Sequence, residues 1–423
     1  MVGGASTSPL KRAKRVADRV LVTLFGPWWL QFRARRAWDR HARTRPLVAT
    51  ASHDASDTGT YWRSGQRDWV LLIGVANQAG LPARRLALEI GCGLGRLTRL
   101  AAGRQWWGEE HEVNIAERGM SGLPAVPVLT SGFIHASAKK ALSMLGIGHD
   151  VVRVLSRDAV GRIDLTALDE ALKALKGAPA IVIATAGEVN AGGFDPITAM
   201  ADLAHRHHAW LHVDGAFGLF ARVSPATADL ADGVELADSV IADGHKWLNV
   251  PYDCGFAFCR DARLLNAVFG MNAPYFPATE ADHPDFLYLA PEMSRRARSL
   301  AVWATLDAYG RNGYRAMIER HVALAKRLAD QIRASSDFEL LAEPRLNVVC
   351  FRYRPEGIPE GELDQLNRGL GLAVIADGTV YFGTTVYAGK VAFRPAIANW
   401  RTTERDVDIV LDVVRGLAQR LSR

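Results

Sequence analysis

Short apolar runs alternate with amphipathic stretches through the middle of the chain. The pattern predicts strands at residues 126–130, 151–155 and 180–185, and helices at 165–175 and 196–207. Asp164 before the first helix, and Asp195 with Pro196 at the start of the second, are residue types that favour helix N-termini. Strands and helices that alternate in this way predict a mostly parallel sheet covered on both faces.

Two further apolar runs end close to charged residues. Residues 210–213 lead into Asp214, and residues 240–242 are soon followed by Lys246. Two buried parallel strands would carry both residues to the carboxyl edge of one sheet, where open α/β sheets bind ligands. A lysine there can form a Schiff base with an aldehyde, and a carboxylate can keep a ring nitrogen protonated, which are the requirements of pyridoxal phosphate.

The alternative for each residue alone is a structural aspartate at a strand end and a lysine in solvent. The flanking residues favour the cofactor. His245 and Trp247 bracket the lysine, while the small residues Gly215 and Ala216 follow the aspartate and leave room for a flat ring.

These two stretches carry a resemblance to a known family. HVDGAFG at 212–218 and DSVIADGHKWLNVPYDCG at 238–255 resemble the core of the group II pyridoxal-phosphate-dependent amino-acid decarboxylases. The resemblance implies that Lys246 is the Schiff-base lysine, that Asp214 pairs with the pyridinium nitrogen and that Ala216 contributes to the cofactor site. It places His245 near the cofactor phosphate.

Other segments extend the resemblance over residues 101–423. The segment HASAKKA resembles the one whose histidine stacks on the ring, which implies that role for His135; a structural histidine is the alternative. ATAGEVNAGGFDP carries over Thr185 as a cofactor-binding residue and also Asn190. It departs from the family where Glu188 and Val189 replace two threonines, and this departure leaves the substrate open.

Two candidates come from the last third of the chain. The family's mobile loop contributes a tyrosine that protonates the product, and by position this is Tyr288, with Tyr275 as the alternative. FRPAIANWR resembles the closing motif of the small domain, so Arg394 is a candidate for binding the substrate carboxylate, since a guanidinium fits a carboxylate bidentately. An ion pair within the small domain is the alternative.

The N-terminal segment, residues 1–45, is basic. Eleven Lys and Arg against two Asp give it a charge of +9, which leaves −3 for the rest because the whole chain carries +6. We expect a solvated helix; an anionic membrane surface is the alternative partner. Its apolar run at 20–30 is about half the ~20 residues of a spanning helix, so no transmembrane segment is expected.

Residues 46–103 contain a strand, a glycine turn and a helix, with Glu89 followed by Gly91, Gly93 and Gly95. This segment resembles the first motif of class I S-adenosylmethionine-dependent methyltransferases, although no second strand ending in an acid follows. The decarboxylase family has a Ser/Thr/Gly-rich phosphate loop at this place. Two expectations stay open: Gly93, Gly95 and Thr98 bind the phosphate at the helix N-terminus, or phosphate binding is impaired.

The composition fits a multi-domain α/β protein, with 49% hydrophobic and 23% charged residues in 423. Four cysteines without zinc-type spacing predict reduced thiols of a cytoplasmic protein and no metal site. No repeat or nucleic-acid-binding module is recognised. We expect a basic segment at 1–45, a methyltransferase-like fragment at 46–103, a large cofactor domain at 104–310 and a small domain at 311–423.

The resemblance implies a fold-type-I large domain with a mostly parallel sheet, and a small α+β C-terminal domain. The function that it implies is decarboxylation of an amino acid by a pyridoxal-phosphate-dependent homodimer. The alternatives are a methyltransferase that binds S-adenosylmethionine and a non-catalytic fusion that retains the fold.

Overall fold

The computed structural model describes residues 87–90, 95–271, 274 and 286–421. All of them belong to one compact unit, residues 76–423. The predicted basic segment 1–45, most of the predicted fragment 46–103 and Tyr275 lie outside the described residues.

A seven-stranded sheet forms the centre of the large domain. Its strands are Ala87–Ile90 (β1), Val128–Thr130 (β2), Val152–Val154 (β3), Ala180–Thr185 (β4), Ala209–Asp214 (β5), Ser239–Asp243 (β6) and Gly255–Cys259 (β7). Their order across the sheet is β1, β7, β6, β5, β4, β2, β3. Strands β2 to β6 run parallel, whereas β7 is antiparallel to both β6 and β1. The mostly parallel sheet expected from the apolar runs is confirmed.

Helices surround this sheet and connect its strands. They are Gly95–Glu109 (α1), Ile115–Arg118 (α2), Ala136–Met144 (α3), Leu165–Ala174 (α4), Ile197–Arg206 (α5) and Ala262–Phe269 (α6), with short 3₁₀ helices at Gly218–Val223, Ala228–Ala231, Val234–Leu236 and Phe286–Leu289. Every residue of β4 and β5 is buried, which explains why most residues of both strands are apolar.

The two predicted helix caps have different outcomes. Asp164 caps α4 as expected, because its carboxylate accepts hydrogen bonds from the N–H groups of Thr166 and Ala167. Asp195 does not cap α5. Pro196 is the N-cap residue there and makes no side-chain cap, while the Asp195 carboxylate turns to the end of β4.

The small domain is an antiparallel sheet covered by helices. Its strands are Phe338–Ala342 (β8), Cys350–Tyr353 (β9), Thr384–Tyr387 (β10) and Lys390–Phe393 (β11), in the order β10, β11, β9, β8. The helices are Glu360–Asp377 (α8), Glu404–Asp408 (α9) and Val410–Leu421 (α10). Phe351, Phe382 and Phe393 pack edge-on or tilted against one another in its core. The expected small α+β domain is confirmed.

Helix α7, Arg298–Ala334, runs between the two domains. The helical backbone is interrupted at Gly310, whose φ is 58°. Cys254, Cys259 and Cys350 are buried and form no disulfide. Among the described residues no helix combines the length and the apolar character needed to cross a membrane.

Candidate active site

The carboxyl edge of the parallel sheet brings three predicted site residues together. Thr185 ends β4 and is the direct cross-strand partner of Asp214, which ends β5. Asp214 in turn faces Ile241 of β6, and Lys246 follows three residues after that strand ends. Two neighbouring strands therefore deliver the carboxylate and the lysine to one place, as the sequence predicts.

Asp214 is held by the turn that follows it. Its side chain is buried, and Oδ1 accepts a hydrogen bond from the N–H of Ala216 at 3.2 Å. Gly215 donates its own N–H to the carbonyl of Ile241 at 2.9 Å, and a Cβ at this position would lie 3.0 Å from that oxygen. A larger residue would thus push the turn away from β6, so glycine keeps Asp214 and Ala216 in place.

Lys246 lies in a turn directly after β6. Its Nζ is 2.9 Å from Oδ2 of the buried Asp243 and 5.0 Å from the centre of the Phe217 ring. Sequence patterns alone did not identify Asp243, although a carboxylate at a strand end three residues before the lysine is a usable signal. Asp243 gives Nζ an acidic partner within proton-transfer distance.

His245 precedes Lys246 in the same turn, and its ring contacts neighbouring residues. Its ring lies 4.3 Å from the ring of Tyr252, and its Nδ1 accepts a hydrogen bond from the N–H of Cys254 at 3.1 Å. Nε2 is 3.9 Å from Oδ2 of Asp243. The imidazole is therefore fixed in orientation beside the lysine.

His135 follows β2 and is the N-cap residue of α3. Its Nδ1 accepts from the N–H of Ser137 at 3.2 Å and contacts the Ser137 hydroxyl at 2.6 Å. The half-buried imidazole thus has a helix-capping function through Nδ1, which fixes the plane of the ring.

Thr185 is supported by Asp195, the residue that sequence patterns place at a helix cap. Asp195 Oδ2 accepts from the Thr185 N–H and from the Ser131 hydroxyl, both at 2.8 Å. Burial raises the pKa of Asp195 to about 7. Thr185 Oγ1 is buried and has no hydrogen-bond partner among the described residues. A buried hydroxyl of this kind suits a polar ligand group.

Arg394 reaches the loop after β4 from the small domain. It is half-buried, and its Nη1 donates to the carbonyl of Val189 at 3.5 Å. Asn190 in the same loop accepts a hydrogen bond from the Thr385 hydroxyl at 2.7 Å. Residues from both domains therefore meet beside Thr185.

Tyr288 lies apart from this group. It belongs to the 3₁₀ helix Phe286–Leu289, which packs against α6 and the edge strand β1. No hydrogen bond or ring contact joins Tyr288 to Lys246 or Asp214 among the residues described. Its predicted role stays a prediction.

A set of hydrogen bonds joins the turn that contains Lys246 to the small domain. Trp247 Nε1 donates to Nδ1 of His321 on α7 at 3.0 Å, and His321 Nε2 contacts the carbonyl of Asn399 at 3.0 Å. Asn249 donates to the carbonyl of Ala398 at 2.7 Å and accepts from the N–H of Trp400 at 3.0 Å. Sequence patterns alone did not identify His321, whose only signal is its place on the apolar face of α7.

These groups suit pyridoxal phosphate. A strand-end carboxylate, a lysine, a buried unpaired hydroxyl and a glycine turn surround the carboxyl edge of the sheet, and these are partners for a pyridinium nitrogen, an aldehyde and a polar ring substituent. Helix α1 is the next described element after β1, and Thr98 in its first turn is fully buried. Gly91 and Gly93 lie outside the described residues.

The chain is similar to known proteins over most of its length. Residues 89–354 match the pyridoxal-dependent decarboxylase conserved domain. An aromatic-L-amino-acid decarboxylase of Bacillus atrophaeus is 31% identical over 295 residues, which are 68% of this chain and 62% of that protein. An L-2,4-diaminobutyrate decarboxylase of Rhizobium meliloti is 33% identical over 303 residues, which are 70% of this chain and 60% of that protein.

A solved structure shows the same fold. The crystal structure of Oryza sativa TDC with PLP and tryptamine superposes with a TM-score of 0.75 at 25% identity, covering 84% of this chain and 76% of that one. The expected fold type I and its cofactor are thereby confirmed, and the methyltransferase alternative finds no support. The match spans about three fifths of the length of the two curated relatives. The conserved domain nevertheless covers well over half of this chain, which therefore belongs to the pyridoxal-dependent decarboxylase family.

Proposed function

We propose that this chain decarboxylates an amino acid with pyridoxal phosphate bound at the carboxyl edge of β4, β5 and β6. The observation that carries the proposal is the placement of Asp214 and Lys246 at the ends of two adjacent parallel strands, with Thr185 directly beside Asp214. Bound at this edge, pyridoxal phosphate supplies an electron sink next to the carbon that loses its carboxylate.

Asp214 is the residue that we assign to the ring nitrogen. Its burial in the turn before Ala216 excludes water from the carboxylate, so that its charge acts strongly on a neighbouring cationic nitrogen. Each unit by which a carboxylate raises the pKa of that nitrogen corresponds to about 1.4 kcal/mol. Thr185 and Ala216 lie on either side of Asp214 at this edge of the sheet.

Lys246 is the residue that we assign to covalent attachment of the cofactor. A lysine attacks an aldehyde as the neutral amine, so a proton must leave Nζ first. Asp243 Oδ2, at 2.9 Å, is placed to accept it. His245, fixed by Cys254 and Tyr252, is the residue that we assign to the cofactor phosphate.

Three further residues take the roles that the sequence predicts. His135 stacks on the ring, in a plane set by its bonds to Ser137. Arg394 binds the substrate carboxylate, since it reaches the loop beside Thr185 from the small domain. Tyr288 protonates the product, and this role requires that its segment approach the site.

The cofactor assignment is tested with the purified chain, added pyridoxal phosphate and borohydride. We expect a visible absorption band and, after reduction, a cofactor fixed to Lys246. Lys246→Ala should lose both, whereas Lys140→Ala, which removes an exposed lysine of α3, should retain both. Absence of the band in the wild-type chain would support the non-catalytic alternative instead.

The reaction is tested by release of CO2 from a panel of amino acids. The panel contains aromatic amino acids and L-2,4-diaminobutyrate, the substrates that the names of the two curated relatives state, together with acidic ones. Release that requires both Lys246 and added cofactor supports decarboxylation. Amine transfer without release of CO2 would exclude it.

We also propose that the protein is a cytoplasmic homodimer. Cys254, Cys259 and Cys350, which are buried and form no disulfide, support a reducing compartment. Sedimentation of the full chain and fractionation of cells that express it test the two statements separately.

A further inference from the structure

Glu188 is a buried carboxylate in the loop that follows β4. Only 3% of the residue is exposed, and its two oxygens accept hydrogen bonds from the backbone N–H groups of Asn190 at 2.7 Å and Ala191 at 2.5 Å. An ionised carboxylate so far from solvent needs a compensating charge in addition to hydrogen bonds.

Arg394 provides that compensating charge. Its guanidinium contacts the carbonyl of Val189, the next residue in the loop, at 3.5 Å. Burial raises the pKa of Glu188, and the positive charge of Arg394 opposes that rise. In the part of the chain that the structure describes, Arg394 makes no direct ion pair with a carboxylate. Its positive charge therefore stabilises the Glu188 carboxylate at longer range, without a direct contact between the two side chains.

Glu188 also faces a cavity of about 310 Å³ between this loop and the small domain. Phe133 and Tyr387 form parts of its wall, so the space is lined by aromatic as well as charged groups. The cavity gives a small carboxylic acid room to approach Glu188. Arg394 lies beside it, at the carbonyl of Val189 in the same loop.

Other ionisable groups surround Glu188 from each neighbouring element. Arg162, Glu343 and Arg345 are exposed side chains that line the same cavity. Burial raises the pKa of Asp195, Cys350 and Tyr387, and the negative charge of Glu188 adds to that rise. Arg162 and Arg345 are exposed, whereas Arg394 is half-buried. Arg394 is therefore the main counter-charge for Glu188.

We propose that Glu188 is a specificity-determining residue, which competes with the substrate carboxylate for Arg394 and takes up a proton when that carboxylate binds. A ligand carboxylate on Arg394 neutralises the guanidinium and leaves Glu188 as a buried carboxylate without a counter-charge. A proton then moves from solvent to Glu188, and no other bond changes. This inference rests on the proposed function only in that Arg394 binds the carboxylate.

Two consequences follow from this competition. The affinity for carboxylate ligands falls as the pH rises, by up to about tenfold per pH unit while one proton is taken up. Removing the charge of Glu188 leaves Arg394 without a competitor, so that carboxylates bind more tightly and without dependence on pH.

Titration calorimetry of the full chain with pyridoxal phosphate present tests the inference. Glutarate and 3-phenylpropanoate are the probes, because neither carries an amine that could react with the cofactor. Runs at one pH in two buffers of different ionisation enthalpy give the number of protons taken up per ligand. We expect uptake by the wild-type chain, none by Glu188→Gln, and tighter binding by that variant.

Matched variants separate this effect from general changes of charge. Glu343→Gln removes an exposed carboxylate of the same cavity and should leave the proton uptake unchanged. Arg394→Gln should lose carboxylate binding, and the neutral 3-phenylpropanamide should bind without uptake of protons. Glu188→Thr serves as a second variant if Glu188→Gln does not fold.

The outcomes distinguish this inference from the proposed function. Equal proton uptake by the wild-type chain and Glu188→Gln, or no binding by either, would overturn the inference. Binding by Glu188→Gln alone would support it, because the competitor has been removed. Intact proton-linked binding without CO2 release from any amino acid would leave it standing and refute only the decarboxylase function.

Discussion

The indole N–H of Trp247 donates a hydrogen bond to Nδ1 of His321 at 3.0 Å, and this bond ties the residue next to Lys246 to helix α7. Since Nδ1 accepts this bond, the ring proton must be on Nε2, from which it is donated to the carbonyl of Asn399. Both ring nitrogens are therefore satisfied only in the neutral form. A proton on Nδ1 would face the Trp247 donor and break the link.

His321 predicts a loss of stability in acid. The histidine is fully buried, and burial lowers its pKa from 6.5 to about 4. Between these values the unfolded chain binds a proton that the folded chain does not, so the free energy of unfolding falls as the pH falls from about 6.5 to 4. The total loss from this residue is at most about 3 kcal/mol.

The measurement is the thermal midpoint as a function of pH for the wild-type chain and His321→Gln. A glutamine amide can accept from Trp247 and donate to Asn399 at any pH, so the variant should lack this acid-dependent loss. Identical slopes for the two proteins between pH 6.5 and 4 would contradict the assignment.

Asp195 predicts the opposite dependence on pH. Burial raises its pKa from 3.8 to about 7, so the folded chain holds a proton that the unfolded chain releases between these values. Stability from this group is complete below pH 3.8 and is lost as the pH rises to about 7, by up to about 4 kcal/mol. Asp195→Asn retains an acceptor for the Thr185 N–H and the Ser131 hydroxyl.

The test compares Asp195→Asn with the wild-type chain at pH 5 and pH 8. We expect the variant to gain stability relative to the wild type at pH 8, because it avoids a buried charge. A control, Asp202→Asn, removes an exposed carboxylate of α5 and should show no such gain. An Asp195→Asn protein that is less stable at pH 8 than at pH 5, relative to wild type, would reverse the predicted sign.

We expect the Asp214→Asn protein to lose activity but to retain the cofactor. The amide keeps the size of the side chain and its acceptor for the Ala216 N–H, but it removes the charge next to the ring nitrogen. Loss of one preorganised electrostatic group typically costs about 10² to 10³ in kcat. Borohydride trapping on Lys246 should persist, and single-turnover CO2 release should slow by that factor.

The rescue experiment uses an analogue of pyridoxal phosphate whose ring nitrogen is permanently methylated. If this analogue restores the rate of CO2 release by Asp214→Asn, the loss of activity is due to the missing negative charge of Asp214. An Asp214→Asn protein with wild-type turnover would place the pyridinium partner elsewhere.

The sequence was most informative where burial alone decides the structure. Strand β4 was predicted at its observed bounds, because both faces of a central parallel strand are buried and its residues are apolar throughout. The same logic placed Asp214 and Lys246 at one edge, since adjacent parallel strands end together. The short strands β2 and β3 are shorter than the sequence predicts, because the hydrophobic pattern does not show where the hydrogen bonds between neighbouring strands stop.

Contacts between distant parts of the chain were not predictable from local pattern. Asp195 has a residue type and position that suit a helix cap, but a bond to Ser131, 64 residues away, and one to Thr185 determine its place. His321 and Trp247 are 74 residues apart, and nothing near either residue indicates the other. Such partners depend on how elements distant in sequence pack together, which hydrophobic periodicity does not encode.

The N-terminus of helix α1 is a candidate site for the cofactor phosphate. The N-terminus of α1 follows β1 in the sheet, and Thr98 lies fully buried in the first helical turn. Helix N-termini bind phosphate through their N–H groups and dipole. If Thr98 contributes a charge-assisted bond, Thr98→Val should weaken pyridoxal phosphate binding by about 1.5 to 3 kcal/mol, or roughly 10- to 150-fold.

The affinity for pyridoxal, which lacks the phosphate, is the internal control for this variant. Thr98→Val should leave it unchanged, and Thr98→Ser should restore the preference for the phosphorylated cofactor, because the hydroxyl is what matters. A wild-type chain that binds both cofactors equally would favour the second expectation, impaired phosphate binding. In that case a high concentration of pyridoxal phosphate should be required for trapping on Lys246, and the trapped fraction should not depend on residue 98.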